Sequence, residues 1–220
     1  MRTTVAVVPL RDGRSGKTRL AGDLGPDDRS CLVAALARHV VATLAATDAV
    51  ARVVVVTADA AFAHAALGGV GGAVEILTQP TDRPGLNAAL DVARERLLLT
   101  DADARLLVVH ADLPALAAVD VAALVDAAGP VVVAPDRTGT GTNALLLDRP
   151  AAGFPYAFGP ESLAAHRAQA RRRGWVPAEV DRPGLAVDLD TVADWAVLPA
   201  PVRARVVAAV PGMAALPVAV

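Results

Sequence analysis

Lysine is nearly missing from this chain: against 20 arginines there is one, Lys17. Cysteine is equally scarce, and the lone Cys31 excludes an internal disulfide and a cysteine-built zinc site. Aromatic residues make up only 3% of the sequence, so a core has to be filled with small aliphatic side chains. Neither sign of charge dominates; the net of −2 offers no electrostatic footing for long nucleic acid. No stretch reaches 18 uninterrupted apolar residues, which argues against a membrane-spanning helix. The most apolar segment, Val206 to Val220, is interrupted by Pro211, Gly212 and Pro217. Met1 and Arg2 lead straight into a strand-like run, unlike a secretory signal, so a cytoplasmic protein is expected.

What the chain does have is 54% apolar content, mostly Ala, Val and Leu, arranged in alternating types of segment. Val5–Val8, Arg52–Thr57, Val74–Leu77, Arg105–His110 and Val131–Ala134 read as strands, nearly continuous in apolar character. Such runs suit strands covered on both faces of a mostly parallel sheet. Between them Pro26–Ala46, Asp59–Leu67, Leu86–Leu99 and Asp120–Ala127 read as helices, with Pro26 at a first helical position. Further on, Asn143–Asp148 and Leu185–Asp190 read as strands, and Pro160–Arg173 and Thr191–Val197 as helices. The order predicts an α/β fold with a mostly parallel, mixed sheet and helices on both faces. With no linker or repeat, residues 1–220 are expected to form a single domain.

In open sheets of this kind ligands bind beyond the carboxyl ends of the strands, which directs attention to the residues that follow each strand. After the first comes Pro9 to Leu20, a glycine-containing loop with Arg11, Arg14, Lys17 and Arg19. Glycines let backbone approach an anion and the cations would neutralise a polyphosphate; the alternative is a solvated basic loop. Gly16-Lys17-Thr18 invites comparison with a P-loop, but the position that needs the first glycine holds Arg11, and Gly13 is too near Gly16. After the fourth strand, His110-Ala111-Asp112 places a carboxylate where a divalent cation could be held, or where it could cap a turn. Val187-Asp188-Leu189-Asp190 would put two carboxylates on one face of an extended segment. Thr191 and Asp194 have capping-box spacing, which accounts for the helix start but leaves Asp188 without a structural reason. The Asp136–Asn143 loop and Phe158-Gly-Pro-Glu-Ser162 suit an anionic ligand, with Pro160 in a first helical turn and Arg137, His166 and Arg167 adding positive charge.

Taken in order, six of these elements resemble one family. They are Gly16-Lys-Thr-Arg-Leu20, Gly85-Leu-Asn-Ala-Ala89, Asp112-Leu-Pro114, Thr138-Gly-Thr-Gly-Thr142, Phe158-Gly-Pro-Glu-Ser162 and Val187-Asp-Leu-Asp190. Across residues 4–198 the chain is similar to the guanylyltransferases of coenzyme F-420 biosynthesis, which act on phosphoenolpyruvate or 2-phospho-L-lactate. It departs from their pattern at Ala111, where a glycine is expected, and in the charged Asp12–Gly16 stretch.

The resemblance implies a Rossmann-like nucleotidyltransferase fold; beyond its reach, after residue 198, a C-terminal helix and an apolar tail are expected. It implies transfer of GMP from GTP to the phosphate of phosphoenolpyruvate, with pyrophosphate released; 2-phospho-L-lactate and 3-phosphoglycerate are the alternative acceptors. The matched positions assign the acceptor to Thr142, Gly159 and Ser162, and Mg²⁺ to Asp112, Asp188 and Asp190. Lys17, Arg19 and Asp112 are the expected catalytic residues, and Arg11, Gly16, Lys17 and Asn87 the expected nucleotide contacts, with a helix N-cap the alternative role for Asn87. A downstream transferase that takes up the labile product is a partner the chemistry allows. The competing readings are a P-loop-like kinase or NTPase and a nucleotide-binding module without turnover.

Overall fold

The computed structural model describes residues 3–13, 16–101, 103–151 and 153–218. Arg14 and Ser15 of the first loop, and Ala219 and Val220 of the tail, lie outside them. The strands are β1 (Thr4–Leu10), β2 (Arg52–Thr57), β3 (Val74–Thr78), β4 (Arg105–Val109), β5 (Val131–Pro135), β6 (Thr142–Leu147) and β7 (Ala178–Glu179). They form one sheet in the order β3-β2-β1-β4-β6-β5-β7. All pairings are parallel except those of β6, which runs antiparallel to both β4 and β5. The expected mixed, mostly parallel sheet is what forms.

Helices α1 (Pro26–Ala45), α2 (Ala60–Leu67), α3 (Leu86–Thr100), α4 (Ala118–Asp126), α5 (Ser162–Arg172), α6 (Pro183–Ala186), α7 (Val192–Val197) and α8 (Ala200–Ala209) complete the architecture. Strand alternation sorts the core onto the two faces. Ala6 and Val8 of β1, with Val53 and Val55 of β2, face a layer built from α1, α2 and α4. Val5, Val7, Val54 and Val56 point the other way, onto α3 and α5. A third cluster joins Leu20, Leu32 and Leu36 to Leu189, Trp195, Val206 and Met213, so the C-terminal segment packs on α1. Helix starts follow the local chemistry: Pro26 opens α1, with Asp27 and Asp28 in its first turn, and the Asp59 carboxylate caps α2 by accepting from the Phe62 N–H at 2.9 Å.

Two elements depart from the sequence expectation. Leu185–Asp190 is not a strand: Pro183 starts the short α6, and residues 187–190 form no regular element as they cross the exit of β4. Their backbone link to β4's exit is one hydrogen bond, Leu189 N–H to the Asp112 carbonyl at 3.0 Å. The physical reason is that β6 already lies between β4 and β5, so no sheet edge is open there. The helix expected from Pro160 begins at Ser162 instead, because Glu161 takes a left-handed conformation (φ 56°) and leaves Pro160 in the preceding turn.

Close approach dictates one residue in this region. A Cβ on Gly184 would overlap the Asp120 carboxylate and lie 2.8 Å from the Ala115 carbonyl oxygen. Asp120 is itself held by the Ala117 N–H and by Arg182 Nε, both at 3.1 Å, and cannot easily withdraw. Gly184→Ala is therefore expected to destabilise by about 1–3 kcal/mol, as overpacking does. Urea unfolding reads this as a lower midpoint; an unchanged midpoint would mean α6 can lift away freely.

Candidate functional site

The chain folds its chemistry-bearing residues onto the carboxyl end of the sheet. Lys17 lies beyond β1, Asp112 beyond β4, and Asp188 and Asp190 on the crossing segment between α6 and α7. Lys17 Nζ donates to Asp112 Oδ2 and to Asp190 Oδ1, each at 2.6 Å, with only 7% of its side chain exposed. Its backbone is left-handed (φ 54°) and leads into a single 3₁₀ turn, Thr18–Leu20, rather than an α-helix. The next α-helix starts only at Pro26, so Gly16-Lys17-Thr18 lacks the helix N-terminus on which a P-loop seats its phosphates.

Carboxylate oxygens of Asp112, Asp188 and Asp190 lie within 4.8 Å of one another. Three carboxylates against one ammonium leave two negative charges, the amount a single divalent cation would neutralise. Burial alone would discharge Lys17, but Asp112 and Asp190 outweigh it and raise its pKa. Burial likewise opposes the Asp112 charge, and Lys17 with His110 overcomes it, holding this carboxyl below the usual range. Asp188 goes the other way: burial, then repulsion from Asp112, pushes its pKa up. Among the described residues Asp112 Oδ1 is buried without a hydrogen-bond partner, an oxygen available to a ligand. An all-oxygen donor set of this kind fits a hard cation such as Mg²⁺.

The crossing segment is positioned by Asn143, to which the sequence reading assigned no separate role, and by Asp194 of the capping box. Asn143 Nδ2 donates to the carbonyls of Leu185 (2.8 Å) and Ala186 (3.2 Å), and the Asn143 backbone carbonyl accepts from the His110 N–H at 3.0 Å. One buried residue thus ties the exit of β4 to the approach of Asp188. Asp194 accepts from the N–H groups of Asp190 (3.2 Å) and Thr191 (2.8 Å), the expected capping box. That leaves the Asp190 side chain free for Lys17. Arg137 does not add free positive charge; it is spent on Asp194 at 2.7 Å.

The second group of expected residues gathers at the start of α5. Thr142 N–H donates to Ser162 Oγ at 2.9 Å, and Ser162 N–H to the Gly159 carbonyl at 3.2 Å. Leu163 N–H is taken by the Thr140 carbonyl at 3.1 Å, so the helix start offers fewer free donors than the sequence implied. Gly159 adopts φ 135°, open to glycine alone, and nothing lies within 4 Å of where a Cβ would stand. Asn87 grips this turn from α3: its Nδ2 donates to the Phe158 carbonyl (3.0 Å) and its Oδ1 accepts from the Phe158 N–H (2.9 Å). The Phe158 ring stands 5.2 Å from that of His110, which brings the turn alongside the Asp112 strand exit.

Other expected cations behave differently from one another. Arg11 and Arg19 are exposed and lie outside the carboxylate cluster, while Gly16 is buried against Val33. Arg167 pairs outward with Glu179 at 2.7 Å. His166 is fully buried and not a positive group, since burial pushes its pKa down to about 4.

Residues 4–198 match a protein family described as "Guanylyl transferase CofC like". The phosphoenolpyruvate guanylyltransferase of Sphaerobacter thermophilus is 44% identical over 195 residues, covering 87% of this chain and 90% of that protein. That of Rubrobacter xylanophilus is 42% identical over 200 residues, covering 89% and 93%. Among solved structures, a proposed nucleotide-diphospho-sugar transferase from Desulfovibrio desulfuricans G20 superposes with a TM-score of 0.76 at 15% identity, covering 98% of this chain and 94% of that one. A CMP:2-keto-3-deoxy-manno-octonic acid synthetase superposes with a TM-score of 0.56 at 18% identity, covering 87% and 94%. At such identities these two structures speak to the fold, and the fold is that of nucleotidyltransferases.

Proposed function

The chain belongs to the family of CofC-like guanylyl transferases, and from that membership we propose that it transfers GMP from GTP to the phosphate of phosphoenolpyruvate. The observation that carries the reading is the convergence of Lys17, Asp112, Asp188 and Asp190 beside the Thr142–Gly159–Ser162 turn. The acceptor's phosphate oxygen attacks the α-phosphorus of GTP, the bond from that phosphorus to the β-phosphate bridging oxygen breaks, and pyrophosphate leaves. Enolpyruvyl-diphospho-guanosine remains. No general base is required, because the attacking phosphate is already ionised at neutral pH.

The chain's task is therefore alignment and charge neutralisation. Thr142, Gly159 and Ser162 hold the acceptor. Arg11, Gly16, Lys17 and Asn87 are assigned to the nucleotide, Asn87 through the amide hydrogen and lone pair that Phe158 leaves unused. Lys17 and Arg19 supply positive charge to the triphosphate. Asp112, Asp188 and Asp190 would hold Mg²⁺, which when bound neutralises charge on the phosphates. The enzyme acts in the cytoplasm within coenzyme F-420 biosynthesis, and its labile diphosphate product calls for a transferase that consumes it.

GTP labelled separately at the α and γ positions, supplied with Mg²⁺ and each candidate acid, tests this. The α label is expected in an acid–diphospho–guanosine product with phosphoenolpyruvate, the γ label in pyrophosphate, and neither after removal of metal by EDTA. Release of γ label as inorganic phosphate, or its transfer to the acid, would overturn the reading. Turnover with 2-phospho-L-lactate or 3-phosphoglycerate alone would replace the acceptor while keeping the reaction.

A further inference from the structure

The hydrogen-bond chemistry around His166 decides what Thr142 can offer a ligand. His166 lies one helical turn beyond Ser162 on α5, so both side chains leave the same face of the helix. Its ring is fully buried, edge-on to Phe158 at 4.9 Å and tilted against Phe154 at 6.1 Å. Each ring nitrogen has one partner: Nε2 meets the Ala157 backbone N–H at 3.2 Å, and Nδ1 meets Thr142 Oγ1 at 3.0 Å. A backbone N–H can only donate, so Nε2 must be the bare, accepting nitrogen. The ring is held neutral by burial, and its one proton therefore sits on Nδ1 and is donated to Thr142 Oγ1.

That fixes the direction of the threonine. With Oγ1 already accepting, the Thr142 hydroxyl hydrogen is free to donate elsewhere. Ser162 is in the same state, because its Oγ accepts from the Thr142 N–H. Both residues are buried, and among the described residues neither hydroxyl hydrogen has an acceptor, so each keeps one O–H for an anion beside the Gly159 turn. A histidine in the opposite tautomer would reverse the arrangement and turn the Thr142 oxygen's lone pair toward the ligand, which an anion would reject.

We propose that His166 is a positioning residue for the acceptor acid: through Nδ1–H it sets Thr142 as a hydrogen-bond donor to the anionic acceptor. The proposal rests on the acceptor assignment made above. It deepens that assignment by naming a residue that never touches the substrate yet sets how tightly the acid, and not GTP, is bound.

Steady-state kinetics with phosphoenolpyruvate and GTP varied separately tests it, using four variants. His166→Leu removes the donor while keeping apolar volume. It is expected to raise KM for phosphoenolpyruvate about tenfold, the effect of losing one such bond to an anion, with KM for GTP within twofold of wild type. His166→Asn, whose amide N–H reaches the position of Nδ1, should restore most of the affinity. His166→Gln, whose amide falls near Nε2, should not. If the leucine variant does not fold, the comparison of Asn with Gln still decides, and equal acid KM values for the two overturn the proposal. Thr142→Val separates this failure from failure of the underlying assignment. Should Thr142→Val raise the acid KM while every His166 variant leaves it unchanged, the positioning role is wrong and the acceptor site stands. Should Thr142→Val itself leave the acid KM unchanged, the acceptor assignment falls and the proposal with it.

Discussion

Lys17→Arg, which keeps the charge, is expected to lower the transfer rate by about 100-fold, in the range seen when one preorganised electrostatic contact is displaced. The ammonium bridges two carboxylates at 2.6 Å each from a side chain that is 7% exposed. A compact, three-donor point charge can sit between Asp112 Oδ2 and Asp190 Oδ1; a planar guanidinium prefers to face one carboxylate with two parallel bonds. Arginine would have to push the Asp112 and Asp190 segments apart or leave one of them unpaired. Either result displaces the charge from where a phosphate is to be met. Lys17→Met is the useful companion. It leaves Asp112, half-buried at 25% side-chain exposure, facing Asp190 and Asp188 without the ammonium that bridges Asp112 and Asp190, and should cost both activity and stability. Rate measurements and thermal melts on both variants check this, and an arginine variant within twofold of the wild-type rate would remove the need for a compact charge. That a chain with 20 arginines keeps its one lysine at this point then has a chemical reason.

Much of the scaffold was legible because the strands are covered on both faces. β1, β2, β4 and β5 are nearly continuous apolar runs, and such runs have few other ways to bury themselves. Leu185–Asp190 failed for a non-local reason: its alternation suits a strand, but whether a sheet edge is free depends on β6 having entered between β4 and β5. Lys17, Asp112 and Asp190 could each be nominated from their places after strands or in a paired-carboxylate motif. Their contact could not, since Lys17 and Asp112 are 95 residues apart and Lys17 and Asp190 173. His166 is the instructive miss. Its four-residue spacing from Ser162 was a readable sign that both share a helix face, but a charge count treats every histidine near an anion site as a cation. Burial reversed that, and made it a neutral, oriented donor. Asn143 gave no sequence signal beyond adjacency to Thr142, because its role is to receive one chain segment and grip another.

The opposite balance of effects is expected at Asp188. Asp188→Asn should lower kcat by about 100- to 1000-fold, as loss of a group that organises charge around the reacting phosphates does, while the melting temperature stays level or rises. The stability half of this follows from the sign of the pKa shift. Burial and then Asp112 raise the Asp188 pKa above 3.8, so its ionised form is disfavoured in the folded state relative to the unfolded one. Replacing it with a neutral isostere relieves that repulsion. The relief is fully present at neutral pH, shrinks as pH falls through the raised folded value, and vanishes below 3.8, where the unfolded carboxyl is protonated as well. Asp112 supplies the contrast, since its pKa is lowered and its Oδ2 is one of Lys17's two partners. Asp112→Asn should therefore lose stability along with activity. Thermal melts at pH 7 and pH 4, paired with rate measurements and Mn²⁺ titration of the nucleotide-free protein, distinguish the cases. Near-full activity of Asp188→Asn would remove this residue from the metal set. A loss of activity matched by an equal loss of stability would make it a structural residue, and would leave the repulsion between three clustered carboxylates without a functional cause.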